Sequence, residues 1–306
     1  MAGTKEIKRR IKSIKNTKKI TKAMELVSAS KMKRAVASTL ASRLYSEYSW
    51  NVLTSVAENI EENTHPFFNE QAEGKTLLVL ITSSRGLCGG YDSQIIKKTL
   101  RKLQEFQTLD VGNPRRTTSG TDIITVGRKG DMAMRRVNQN ITGVFPSMPD
   151  MNLKISDIAP LSKMLTDQYI NKTYNKVFIS YTHFTSALSQ TPVVKQLLPI
   201  SKDIVKELIH DVGLPQSGIP KTDYLFEGDF NTLISSLAEK ITRMQIYQMF
   251  LESNASEQSS RMMAMKNASE ASGEMIDDLT LAFNKARQAN ITREISEISA
   301  GMASVN

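Results

Sequence analysis

The stretch that follows Asp229 constrains the fold of this chain more than any other. No proline occurs after it, and only Gly273 and Gly301 interrupt its helix-forming residues. Apolar or small residues recur there at steps of three and four. They run Ile234, Leu237, Ile241, Met244, Gln248, Leu251 and Ala255, then Met262, Met265, Ala268, Ser272, Ile276, Leu279, Phe283 and Ala286. This spacing predicts a single helix with a buried stripe. Over residues 229–300 such a helix would span roughly 108 Å, whereas a globule made from the middle of the chain would be only about 40 Å across. The helix must leave its own domain, so its stripe needs a second long element.

The other end of the chain supplies one. From Thr4 to Ile60 there is neither proline nor glycine, and helix formers dominate. Ile7, Ile11, Ile14, Thr21, Met24, Ser28, Met32 and Ala35 fall on one face, giving a helix of roughly 85 Å. The simplest arrangement is an antiparallel coiled coil, because both ends return to one middle domain. Both stripes are poor in Leu and rich in Ala, Ser and Met, which favours close backbone approach over deep knobs. In the plainer alternative each stripe is ordinary domain core, and the helix lengths oppose it.

The middle alternates. Lys75 to Ser83 reads as a buried strand, bounded by the turn Gly86-Leu87-Cys88-Gly89-Gly90. Asp92 to Phe106 is helical, Gln107 to Thr121 a loop, Asp122 to Val126 a strand, Arg128 to Asn138 a helix and Ile141 to Phe145 a short strand. Ile155 to Asn171 is helical, Lys176 to Thr182 is a strand, and Val193 to Ile200 extends or adds an edge strand. Strands alternating with helices predict a mainly parallel sheet with helices on its faces. The fold class is α/β with a long helical coiled coil: an antiparallel pair of terminal helices plus a small Rossmann-like domain. The expected divisions are residues 1–60, 75–200, a connector at 201–228, and 229–306.

Little in the chain points to chemistry of its own. Gly74-Lys75-Thr76 resembles the end of a phosphate loop, but Asn69 stands where the first glycine belongs, and a strand follows where a helix is needed. The turn Gly86 to Gly90 lies between strand and helix, yet lacks dinucleotide-fingerprint spacing. It reads better as a tight structural turn. Cys88, the only cysteine, has no histidine near it in sequence, and His65, His183 and His210 have no ligand spacing. We therefore expect no cofactor, no metal and no catalytic centre. The longest strongly apolar run, Leu77 to Ile81, is far too short for a membrane span. Met1 to Arg10 is charged and lacks the apolar core of a signal peptide. A soluble protein of a reducing compartment is expected.

Charge is concentrated in one place. Residues 1–34 hold 12 Lys or Arg and 2 Glu, a net +10, while the whole chain is +9. Lys8, Arg9, Lys12, Lys15, Lys19, Lys22, Lys31 and Lys33 surround the first helix. An acidic partner fits such a collar, either an acidic protein surface or nucleic acid. The charge alone leaves both open, and with them a basic coiled-coil protein that binds nucleic acid. Toward the other end, Asn284 to Glu294 is polar all round, which calls for a partner on several sides.

Several of these stretches, in this order, resemble the gamma subunit of F-type ATP synthases. They are Ile20 to Met32 (ITKAMELVSASKM), Arg85 to Gly90 (RGLCGG), Glu252 to Met265 (ESNASEQSSRMMAM), Asn284 to Gln288 (NKARQ) and Ile291 to Ile298 (ITREISEI). Three places depart from the family pattern: Ser84 and Asp92 around the RGLCGG motif, Gly228 after Glu227, and Met302 after Gly301. The resemblance implies a non-catalytic rotor shaft. One copy would stand in an alpha3beta3 hexamer, with the epsilon subunit and the membrane c-ring at its α/β foot. Proton flow through the c-ring would turn the shaft and switch the beta nucleotide sites. It implies contacts with beta subunits through Lys22, Met24, Lys31 and Lys33, and through Arg287, Gln288 and Thr292. It implies c-ring or epsilon contacts through Tyr224 and Glu227. It also implies no nucleic-acid partner, and a peripheral place on the cytoplasmic face of the inner membrane, reached only through the complex.

Overall fold

The computed structural model describes residues 3–58, 74–111, 120–145, 152–200 and 230–303, together with Phe67 and Pro149. In chain order the elements are α1 (Thr4–Glu58), β1 (Lys75–Ile81), α2 (Tyr91–Val111), β2 (Thr121–Val126), α3 (Arg128–Arg136), β3 (Ile141–Phe145), α4 (Ile155–Ile170), β4 (Tyr174–Phe184), β5 (Gln190–Leu198) and α5 (Phe230–Ala303). They divide into two compact units. One is Ser30–Ser260; the other joins Met1–Ala29 to Arg261–Asn306.

In the Ser30–Ser260 unit the strands form one sheet in the order β3-β2-β1-β4-β5. β1 pairs in parallel with β2 and β4, and β2 with β3, while β5 runs antiparallel along β4. The open reading at Val193 to Ile200 thus resolves as an edge hairpin, and that edge tolerates Pro192, which cannot donate to a ladder. Register carries the strand alternation through the sheet. Val79 sits beside Ile124 on one side and Ile179 on the other, so Leu77, Val79, Ile81, Ile124, Val126, Val177, Ile179 and Tyr181 line one face. Helix α4 covers that face with Ile158, Leu161, Leu165 and Tyr169, and α5 with Ala238, Ile241, Ile246 and Phe250. The opposite face, with Leu78, Leu80 and Ile123, packs Ile95 and Leu103 of α2 and Met134 of α3. A continuous apolar run such as Leu77 to Ile81 is what a strand covered on both faces requires.

Two boundaries move relative to the sequence reading. β1 stops at Ile81, and Thr82 adds side-chain bonds to its backbone bond with Val126: Thr82 Oγ1 donates to the Val126 carbonyl (3.1 Å) and accepts the Gly130 N–H (2.8 Å). Gly127 is bound to this turn. Its φ is 93°, and a Cβ there would collide with the Thr82 carbonyl oxygen. Helix α2 continues past Phe106 to Val111, where a loop had been expected, since no breaker occurs before Gly112.

In the second unit α1 and α5 lie against each other through the predicted stripes. Ile7, Thr21 and Ser28 are buried and Ile11, Ile14 and Met24 half-buried. On α5, Met265 and Ser269 are buried, while Ser272, Ile276, Leu279, Phe283 and Ala286 are half-buried. Lys18 reaches Gly273. Residues beyond Asn290 are exposed through Met302. This is the antiparallel pattern: moving from Gly273 toward the end of α5 means moving from Lys18 toward the start of α1, which runs out at Thr4. The pair is an antiparallel coiled coil, as expected.

Candidate functional site

The basic collar is a property of α1. Lys8, Arg9, Lys12, Lys15 and Lys19 are exposed and make no ion pair among the described residues. The two glutamates of the segment are already engaged, Glu6 with Arg10 (2.8 Å) and Glu25 with Lys22 (2.9 Å). The positive field is therefore left for something outside the helix. At about 100° per residue, the four expected contact residues of α1 separate into two faces. Lys22 and Lys33 share an exposed one, while Met24 and Lys31 share another that is half-buried.

On α5, Arg287, Gln288 and Thr292 are all exposed. Gln288 and Thr292 stand one turn apart on a common face, with Arg287 beside it. Neighbouring polar groups bond along the helix: an Arg293 N–H donates to Asn290 Oδ1 at 3.1 Å. Beyond them Ile291, Ile295, Ile298 and Met302 form an exposed apolar row, with Met302 65% exposed. Apolar surface of this kind marks an interaction face. Tyr224 and Glu227, with the connector 201–228, lie outside the described residues.

A third group was missed from sequence. Along α5, Glu252, Ser253, Ser256, Gln258 and Ser259 are buried although polar. The serines and Glu252 bond to β4, to the turn between β4 and β5, and to α2. The Tyr91 hydroxyl lies 2.6 Å from Ser253 Oγ; Ser256 donates to the Thr182 carbonyl (3.2 Å) and Ser259 to the Ala187 carbonyl (2.6 Å). Ser260 donates to Gln190 Oε1 (3.0 Å), and Glu252 meets His183 Nδ1 at 2.6 Å. Burial first, then the nearby Glu257 carboxylate, push the Tyr91 phenol well above its usual pKa. The available signal was a set of hydroxyls at helical spacing in ESNASEQSS, on the side of α5 that continues its apolar stripe.

Near this seam is the place where an α/β sheet of this order ordinarily takes a ligand. Strand order reverses beside β1, so the crevice falls at its C-terminal end, at the turn Gly86 to Gly90. There the chain supplies its own anion. Asp92 Oδ1 accepts the Ser83 N–H (2.9 Å), and its Oδ2 accepts Ser83 Oγ–H (2.6 Å) and Cys88 S–H (3.1 Å). Cys88 is buried in this knot, which supports the structural reading of the turn. No group of metal-binding side chains occurs among the described residues, and no helix among them is long and apolar enough to cross a membrane.

Two long terminal helices in an antiparallel pair, an α/β unit whose switch point holds a hydrogen-bonded knot of its own side chains, and an exposed basic helix face point to a stalk-type subunit. The ATP synthase family model matches residues 3–305. Relatives described as ATP synthase gamma chain are 36% identical in Legionella pneumophila strain Corby, 37% in Coxiella burnetii strain Dugway and 38% in Methylibium petroleiphilum. Each match covers 100% of both chains. Among solved structures, the Tetrahymena thermophila mitochondrial ATP synthase central stalk/c-ring is 26% identical, with TM-score 0.57, covering 82% of this chain and 99% of that one. The Euglena gracilis mitochondrial ATP synthase rotor shares the fold at 19% identity, TM-score 0.63, covering 94% and 98%. The chain belongs to the ATP synthase gamma-chain family, and its role is that of the rotor subunit. These relatives lend no support to a nucleic-acid reading of the basic collar.

Proposed function

We propose that this chain turns as the central shaft of a proton-driven ATP synthase, one copy within an alpha3beta3 hexamer, and is itself non-catalytic. The full-length identity to gamma chains carries the reading. The shaft acts by population shift: each angle presents a face that one beta conformation contacts better than the others. In this reading residues 1–60 and 229–306 serve as the coiled shaft and 75–200 as the foot, while the connector 201–228 carries Tyr224 and Glu227 to the c-ring and epsilon. Membrane association is peripheral, on the cytoplasmic face of the inner membrane, and runs through the complex.

Lys22, Met24, Lys31 and Lys33 then meet an acidic lever of a beta subunit, which gives the net positive charge of residues 1–34 a protein partner. Arg287, Gln288 and Thr292 hydrogen-bond a beta loop. A tag on this chain, used on detergent-solubilised membranes at moderate salt, should recover three pairs of large nucleotide-binding subunits with a c-ring. Recovery of the chain alone, or with nucleic acid, sinks the proposal. Losing a charge-assisted hydrogen bond costs about 1.5–3 kcal/mol. Arg287→Ala and Gln288→Ala should therefore lower assembly or ATP turnover, and wild-type values in both would remove that assignment.

A further inference from the structure

Within the unit of Met1–Ala29 and Arg261–Asn306, one side chain of α1 crosses onto α5. The burial stripe of α1 passes through Ile7, Ile11, Ile14, Thr21 and Ser28, and the three-and-four alternation assigns Lys18 to the place between Ile14 and Thr21. Lys18 is the one cation at that place in the repeat, and it is itself exposed. Its Nζ lies 2.9 Å, and its Cε 3.7 Å, from the point where a Cβ on Gly273 would stand. Glycine inside a helix weakens it relative to alanine, so Gly273 has a cost that needs a return. The space it leaves is where Lys18 ends.

The neighbouring contact residues are small: Thr21 and Ser28 on α1, Ser269 and Ser272 on α5. Flat, small-residue seams interlock shallowly, and a single polar residue at a stripe position is a known way to fix how two helices align. We propose that Lys18, laid across the notch at Gly273, is a latch that holds α1 and α5 against turning on one another. Lys18 is thereby a positioning residue for coupled ATP synthesis. The ammonium end of Lys18 lies over the notch, at an edge of the seam that is open to water. This inference rests on the rotor reading.

The test uses the assembled ATP synthase carrying Gly273→Ala, Lys18→Ala or both. An alanine at 273 meets the mobile end of a flexible side chain, so the amine swings aside and the helix still forms. Assembly and ATP hydrolysis should hold at wild-type values with Gly273→Ala, while the ratio of proton-driven synthesis to hydrolysis falls about threefold. Lys18→Ala should lower that ratio equally, and the double variant should do no worse, because both changes remove one interaction. Lys18→Met, which retains a flexible stem, should recover most of the ratio. Additive losses, or a wild-type ratio in Gly273→Ala, would overturn the latch. If Gly273→Ala fails to assemble, the lysine variants decide: a wild-type ratio in Lys18→Ala overturns it. A chain that never copurifies with ATP synthase subunits would instead remove the rotor reading.

Discussion

The C-terminal helix is held differently in the two units through which it runs. Up to Ser260 it is seated on a sheet, burying Ala238, Ile241, Ile246 and Phe250 and then bonding through Ser253, Ser256 and Ser259. From Arg261 onward it lies beside α1, and most of its stripe is only half-buried. The helical period is the same in both stretches. What differs is how much the stripe encloses: a sheet face surrounds a helix more completely than one other helix does. The seated stretch suits a helix that must not slip on its base. The paired stretch leaves most of its circumference for partners.

The largest effect should separate the two stretches. Phe250→Ala empties a core site and should cost about 3–5 kcal/mol, whereas Ile276→Ala, half-buried on the paired stretch, should cost about 1–2 kcal/mol. Urea denaturation of the purified chain measures both, and equal losses would break the comparison. Tyr91→Phe comes next. It deprives buried Ser253 of a partner and should cost about 1–3 kcal/mol. It also has a pH signature. The folded pKa of Tyr91 is raised by burial, so its contribution is complete below the unfolded value and is lost as pH rises past about 10. Tyr174 and Tyr247 are shifted the same way, so Tyr91→Phe should flatten the alkaline fall in stability without abolishing it. Thermal melts between neutral and strongly alkaline pH would show whether the slope changes. The smallest effect belongs to the exposed collar: Lys22→Ala should change stability by less than about 0.5 kcal/mol, since the Lys22 side chain is 57% exposed and its ion pair with Glu25 is screened. It should instead weaken the salt dependence of hexamer association, measured by a binding titration at two ionic strengths.

The sequence disclosed what depends on period. Ile7, Ile11, Ile14 and Thr21, and Met265, Ile276, Leu279 and Phe283, were legible because a helix repeats its contact face whatever it touches. The strand Leu77 to Ile81 was legible because only a doubly covered strand is apolar throughout. Pairings across distance were not. Ser256 and Thr182 are 74 residues apart, and Tyr91 and Ser253 are 162 apart, so nothing local marks either partner. Asp92 was visible only as a departure from a motif; that its carboxylate gathers Ser83 and Cys88 depends on how β1 turns into α2. The contact roles of Arg287, Gln288 and Lys22 lie in other chains, and this chain shows only that those side chains are exposed.

The knot at the end of β1 has a practical side. The protein has a single thiol, Cys88, shut in behind Ser83 and Asp92. A thiol reagent applied to the folded chain would find it shielded. Cysteines introduced at exposed positions outside the expected contacts, such as Lys97 or Lys129, would then take a fluorophore or cross-linker selectively, without first deleting the native one. The molecule therefore comes ready for site-specific probes that report its angle as it turns.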